Sequence, residues 1–268
     1  MRRGVWIFPN RPAGELVDAI VAAERAGLDE VWLADEGVAR EPIPVLAAAA
    51  VRTSTIVLAT GITSPLLRHP GAIASTAATL DELSGGRAVL GLGVGGHLSL
   101  DPFGLETTRP VAVLRDAIRV ARAVVERRPA EGYQPPDHAM PARRVPIWVG
   151  ARGPQLVRLA TRDADGLFLS GCSSEELHRI VGDVASVRRS EPLGLAVYQS
   201  AAADPTSSSE LRWSDVASAL GDRAIGATSI GINLVDPARS PAVDLAAEVE
   251  RAAAVLRAVP DQASRTTS

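Results

Sequence analysis

The stretch Pro146-Ile147-Trp148-Val149-Gly150-Ala151-Arg152-Gly153-Pro154-Gln155 carries one whole structural unit in miniature. A short apolar run reads as a strand, two glycines frame a tight turn, and Pro154 takes the first position of a helix, where its missing N–H costs nothing. Outward from here the same alternation recurs along the chain. Strand-like runs fall at 5–8, 30–34, 55–60, 88–92, 146–149, 166–169, 193–198 and 228–234. Helix-like segments, with apolar residues three and four apart, fall near 14–26, 43–52, 70–83, 109–127, 154–163, 174–189, 209–221 and 241–258. Runs such as Ile56-Val57-Leu58 are continuously apolar, as parallel strands covered on both faces are. Eight such units in 268 residues predict a single-domain (β/α)8 TIM barrel over 1–259, for which roughly 250 residues is typical. A doubly wound sheet would want a G-x-G-x-x-G turn after the first strand, and that turn reads Pro9-Asn10-Arg11-Pro12-Ala13-Gly14. Residues 127–144 and 201–209 read as irregular, and 260–268 as a disordered C-terminal tail.

Composition removes several function classes. Apolar residues make up 46% and charged ones 22%, which excludes a disordered chain. All 28 basic side chains are Arg, set against 31 acids for a net charge of -3. That balance argues against a nucleic-acid partner, and the lack of Lys excludes Schiff-base chemistry. Cys172 stands alone, and His69, His97, His138 and His178 show no paired-ligand spacing, so no metal site is expected. Only five residues separate Met1-Arg2-Arg3-Gly4 from Asn10, too few for the apolar core of a signal peptide. No run approaches the ~18 apolar residues of a membrane span. The expectation is a cytoplasmic protein with a small-molecule partner and no membrane partner.

In such a barrel the loops that follow the strands form the active face. The turn Gly150-Ala151-Arg152-Gly153 before Pro154 reads as a phosphate or carboxylate seat, because free amides at a helix start and a fixed guanidinium favour an anion; an ordinary Gly-Pro turn is the other reading. Gly93, Gly95 and Gly96 in Gly91-Leu92-Gly93-Val94-Gly95-Gly96-His97 let a flat or phosphorylated ligand lie against backbone, unless they serve close packing alone. Thr60-Gly61-Ile62-Thr63 could kink into the mouth. Asp35-Glu36 puts adjacent carboxyls there, one able to hold a ligand and the other to act as acid or base if burial raises it, with a helix cap as the alternative. His97 is a second proton-donor candidate, His69 is more simply a cap, and Ser170, Gly171, Gln199, Asn233 and Asp236 complete the strand ends. Asp163 to Gly166 falls on the opposite, stabilising face.

The motifs Gly27-Leu28-Asp29-Glu30-Val31-Trp32-Leu33-Ala34-Asp35, Ala59-Thr60-Gly61-Ile62-Thr63-Ser64 with Arg68-His69-Pro70, Leu80-Asp81-Glu82-Leu83-Ser84-Gly85-Gly86-Arg87, Leu90-Gly91-Leu92-Gly93-Val94-Gly95, and Pro146 to Pro154 with Ala164-Asp165-Gly166 occur in one order. Together, over about residues 4–171, they resemble the luciferase-like monooxygenase superfamily. The likeness is strongest to its branch using the deazaflavin coenzyme F420, the group of methylenetetrahydromethanopterin reductase. The resemblance implies a TIM barrel and an F420-dependent oxidoreductase that moves a hydride between cofactor and a small organic substrate. An FMN-dependent monooxygenase and a non-catalytic cofactor-binding paralogue are the alternatives.

It further implies a cis Gly61-Ile62 peptide behind the ring, Asp35, Thr60 and Thr63 near it, and Gly93, Gly95 and Gly96 along the ring or ribityl chain. Gly150, Ala151, Arg152 and Gly153 with Ser170-Gly171 would hold the phosphate, and a homodimer would form through the second and third units. The chain departs from the family where Glu36 follows Asp35 in place of a common His, leaving Glu36 or His97 to handle the proton. It departs again at Gln155, where Lys is frequent, and in a shortened stretch at Ala130-Glu131-Gly132-Tyr133-Gln134. With aromatic residues at 3%, few rings are expected to wall a substrate.

Overall fold

The computed structural model describes residues 1–202, 210–223, 226–234 and 244–260. Its strands are β1 (Arg2–Ile7), β2 (Glu30–Leu33), β3 (Val57–Thr60), β4 (Ala88–Leu92), β5 (Ile147–Gly150), β6 (Gly166–Ser170), β7 (Gly194–Ala202), β8 (Glu210–Arg212) and β9 (Ser229–Leu234). The helices are α1 (Ala13–Arg25), α2 (Pro42–Ala50), α3 (Pro70–Ser84), α4 (His97–Leu100), α5 (Pro110–Val125), α6 (Pro154–Asp163), α7 (Ser174–Ala185), α8 (Trp213–Arg223) and α9 (Leu245–Arg257). Pairing runs β1 through β7 and then to β9, all parallel, and β1 also pairs with β9, with Val5 opposite both Val31 and Ile232. The sheet therefore closes into the expected (β/α)8 barrel.

Local signals place the helices. Pro opens α2, α3, α5 and α6, and Ser173 with Glu176 forms a capping box on α7. On α5 the residues Leu114, Ala117, Ile118, Ala121 and Val125 face inward at three- and four-residue spacing.

Two elements differ from the sequence expectation. Residues 210–212 form β8, which runs beside the end of β7 with Ser200 opposite Glu210, where a helix start is expected. Three residues leading straight into a helical pattern carry no period of their own. The loop expected after β4 is instead the short helix α4 followed by a 3-10 turn at Asp101–Phe103. The expected tail from 261 on, Asp236, and most of 201–209 lie outside the described residues.

Side-chain alternation along the strands divides the core in two. Outward residues such as Val5, Val31, Leu58, Leu90, Ile147 and Leu167 pack on the helices. Inside the barrel the chain concentrates its few rings, since Trp32, Trp148, Phe168 and Tyr198 pack together with Trp6 against them. Trp32 lies 4.6 Å from Phe168 and 5.5 Å from Trp148, and Phe168 lies 4.9 Å from Tyr198. Glycines make that possible. A Cβ on Gly166 or Gly194 would stand 2.2 Å or 2.5 Å from the Trp148 ring, and one on Gly231 would stand 2.1 Å from Tyr198. The low aromatic content thus does not leave the interior without rings.

At the N-terminal end, charged side chains are tied to backbone and to one another. Arg87 donates to Ser84 O, Thr53 Oγ1, Ile56 O, Ala50 O and Thr53 O. The Glu24 carboxylate accepts from the amides of Ser54, Thr55 and Ile56, and these bonds hold its pKa down at about 2 against the opposing effect of burial. Buried Glu30 accepts from Trp32 Nε1, Tyr198 Oη and Ser229 Oγ, with Arg2 Nε 3.2 Å from its other oxygen. Asp165 takes the Ile147 amide and pairs with Arg122, which puts it on the stabilising face as expected.

Candidate functional site

At the opposite end, inward residues of β1 and β6 and the segments that follow β2 to β5 line an open cavity of about 330 Å³. Its floor is the top of the interior ring stack, Trp6 and Phe168. The Gly61-Ile62 peptide is cis, as the family resemblance implies, and Trp6 Nε1 donates to Gly61 O. Gly61 itself fits against Trp32 and Trp6, whose atoms would stand 2.8 Å and 2.9 Å from a Cβ there.

Ile62 explains the neighbouring glycines. A Cβ on Gly93 would lie 1.9 Å from Ile62 Cδ1 and one on Gly150 2.6 Å from the same atom, while one on Gly91 would meet Thr60 O at 2.1 Å and Ile62 Cγ2 at 3.1 Å. The space expected to admit a ligand at Gly93 is filled by this side chain, so Gly93 shapes the mouth by seating Ile62. Thr60 is likewise corrected. Its hydroxyl donates to Gly91 O and accepts from Gly91 N, joining β3 to β4, and it is buried away from the cavity.

Of the residues singled out from sequence, the cavity brings together Asp35, Glu36, Gly61, Ile62, Gly95, Gly96, His97, Gly150, Ala151, Arg152 and Ser170. Thr63 stands behind it, donating to Asp35 Oδ2 at 2.6 Å. Gly153 is the exposed N-cap of α6 and does not line the cavity. Gly171 does not line it either; its amide, expected to face a phosphate, donates to Tyr198 O at 2.9 Å. His69 caps α3 by accepting from the Gly71 amide. Sequence reading does not single out Trp6, Val94, Leu98, Ser99 or Phe168, which also line the cavity. Trp6 and Phe168 occupy inward positions of strands, a signal present in the alternation. Leu98 and Ser99 depend on α4, whose single turn gives no period.

The electrostatics of the mouth are divided by strand. After β2, Glu36 Oε2 accepts from Ser99 Oγ at 2.8 Å. Burial raises the Glu36 carboxyl above its usual range; the neighbouring Asp35 adds to the rise, while Ser99 and His97 partly offset it. His97 is exposed at the start of α4. After β5, α6 begins without a side-chain cap, leaving first-turn amides for solvent or a ligand beside Arg152. After β6, Ser170 Oγ accepts from Asn233 Nδ2 at 2.9 Å, and the buried Oδ1 of Asn233 has no hydrogen-bond partner. Such an orphaned acceptor is costly unless a donor reaches it. This arrangement can hold an anion at one part of the rim and exchange a proton at another. Among the described residues no group of His, Cys, Asp and Glu could hold a metal ion, and no helix is long and apolar enough to cross a membrane.

A family model for luciferase-like monooxygenases matches residues 1–263. A 5,10-methylenetetrahydromethanopterin reductase of Methanolobus tindarius is 30% identical over 192 residues, covering 69% of this chain and 59% of the relative. An F420-dependent glucose-6-phosphate dehydrogenase of Nakamurella multipartita is 38% identical over 183 residues, covering 61% of this chain and 54% of the relative. The chain thus spans between half and two thirds of the length of these relatives. The structure of a coenzyme F420-dependent tetrahydromethanopterin reductase from Methanopyrus kandleri superposes with a TM-score of 0.76 at 20% identity, over 93% of this chain and 97% of that one, a likeness of fold.

Proposed function

The chain belongs to the luciferase-like monooxygenase family, and from that membership we propose that it is an F420-dependent oxidoreductase acting on a small organic substrate. One observation carries the proposal. One cavity is lined both by the Gly150-Ala151-Arg152 turn, which leads to the uncapped start of α6 and suits a phosphate, and by a carboxyl at Glu36 that burial has raised, suited to proton exchange.

When bound, the deazaflavin supplies a ring carbon that gives or accepts a hydride, while the matching proton moves separately. The protein's part is position and polarity. Arg152 and the first-turn amides of α6 would hold the phosphate, with Gly150 and Ala151 allowing close approach. Ile62, seated by Gly91, Gly93 and Gly150, would back the ring, and Trp6 and Phe168 would close the floor against water. Gly95 and Gly96 would border the ring or its chain. Thr63 fixes Asp35 as a polar contact, and Glu36 Oε2, held by Ser99, would give or take the proton, with His97 the second candidate. A cytoplasmic homodimer belongs to the same proposal. The α2 helix carries no charged side chain, and Val51 just beyond it and Leu83 on α3 are 70% and 50% exposed, which suits pairing; sedimentation velocity reads it.

Titrating the purified protein with F420 and following cofactor fluorescence tests the reading. Saturable binding is expected. A protein that purifies yellow with FMN and consumes oxygen would make it a flavin monooxygenase, binding without turnover across a substrate panel would make it a cofactor-binding paralogue, and absence of F420 binding would end the proposal.

A further inference from the structure

We infer that the molecule this cavity accepts beside the cofactor is uncharged and largely apolar; this rests on the proposed function and names the substrate class of that same site. The part of the rim built by the loops after β2 and β4 offers two carboxyls, Asp35 and Glu36, the Ser99 hydroxyl and the exposed His97 imidazole. Among the described residues lining the cavity, Arg152 is the one guanidinium, and it belongs to the α6 turn where the cofactor's phosphate would sit.

Two arginines in the loops after β2 and β3 are engaged. Arg68 pairs with Glu41 at 2.5 Å and donates to Thr76 Oγ1 at 2.8 Å, and Arg40 donates to Asn10 O. With Ile62, Trp6, Phe168 and Ala151 given to the cofactor, the apolar side chains left in the lining are Val94 and Leu98. Outside Leu98 the apolar surface continues, with Val38 69% and Phe103 52% exposed, and the turn at Gly37 packs against Phe103.

An anionic substrate would have to rest against two carboxyls, with the exposed His97 beside Glu36 as the one further basic side chain in the lining and no guanidinium free of the cofactor's phosphate. A neutral molecule with one polar reacting group meets a hydrogen-bonding carboxyl at Glu36 and hydrocarbon elsewhere. A phosphorylated sugar, the substrate in the name of one group of relatives, falls on the excluded side.

Ligand-observed NMR on the F420-loaded protein, with cyclohexanol and cyclohexanecarboxylate as probes, tests this directly. Cyclohexanol is expected to bind at least about tenfold tighter. The Leu98→Arg variant is expected to narrow or reverse that ratio, because it supplies the missing cation at the rim. Carboxylate or glucose 6-phosphate binding as tightly as cyclohexanol in the wild type would overturn the inference, and so would failure of both ring compounds to bind at millimolar concentration. Absence of F420 binding is a separate result that counts against the proposed function; the same two probes on the cofactor-free Arg152→Ala protein, where the guanidinium at the phosphate seat is removed, then still decide the charge preference.

Discussion

Arg87 at the N-terminal end of the barrel and Arg152 at the C-terminal mouth are the same side chain in opposite circumstances. Arg87 is tied to four carbonyls and a hydroxyl that join α2, α3 and the approach to β3. Arg152 is exposed at the edge of a cavity beside an uncapped helix. The contrast extends to the acids. Glu24 takes three backbone amides and is held at about 2, whereas Glu36 takes one hydroxyl and is raised by burial. One end uses charge to fix loops; the other keeps charge available to a ligand. The groups that fix loops and the candidate site thus lie at opposite ends of the barrel, as the fold permits.

Variants at the two ends should therefore fail in different ways. The largest effect on stability is expected from Arg87→Ala, which leaves several buried carbonyls without donors and should cost about 3 kcal/mol in denaturant unfolding; an unchanged midpoint would break the comparison. Glu36→Gln is expected to lower kcat about 100-fold and to remove the pH dependence that the raised carboxyl gives it. Its stability at neutral pH should be equal or higher, because the native environment disfavours the ionised carboxylate. Arg152→Ala should weaken F420 binding about tenfold and leave the unfolding midpoint in place.

The smallest effect is the acid sensitivity of the stabilising end. The Glu24 pKa is lowered in the native state, so its contribution is complete above about 4.5 and lost as pH falls towards about 2. Glu24→Gln should flatten stability across that window by about 1 kcal/mol, reduced by solvent screening.

Much of the framework is legible in the sequence because its signals are local. Continuous apolar runs mark the buried strands, and Pro70, Pro110 and Pro154 mark helix starts that the structure keeps. The mouth is legible only in part. Glycines at 91, 93 and 150 stand out in the sequence, yet their shared purpose, seating Ile62, depends on three neighbouring strands meeting at one side chain. Gly171, which the family resemblance puts at the phosphate, has its amide taken by Tyr198 O of β7. Ser99, which holds Glu36, sits on a single helical turn that no periodicity announces. Local rules reach the elements, while the site is made by contacts between them.

A crystal structure of the protein soaked with F420 tests the central claim most directly. The cofactor is expected in the C-terminal mouth, its phosphate against the first-turn amides of α6 and Arg152 and its ring against Ile62. A cofactor bound elsewhere, or a mouth that stays closed to it at saturating concentration, would contradict the account.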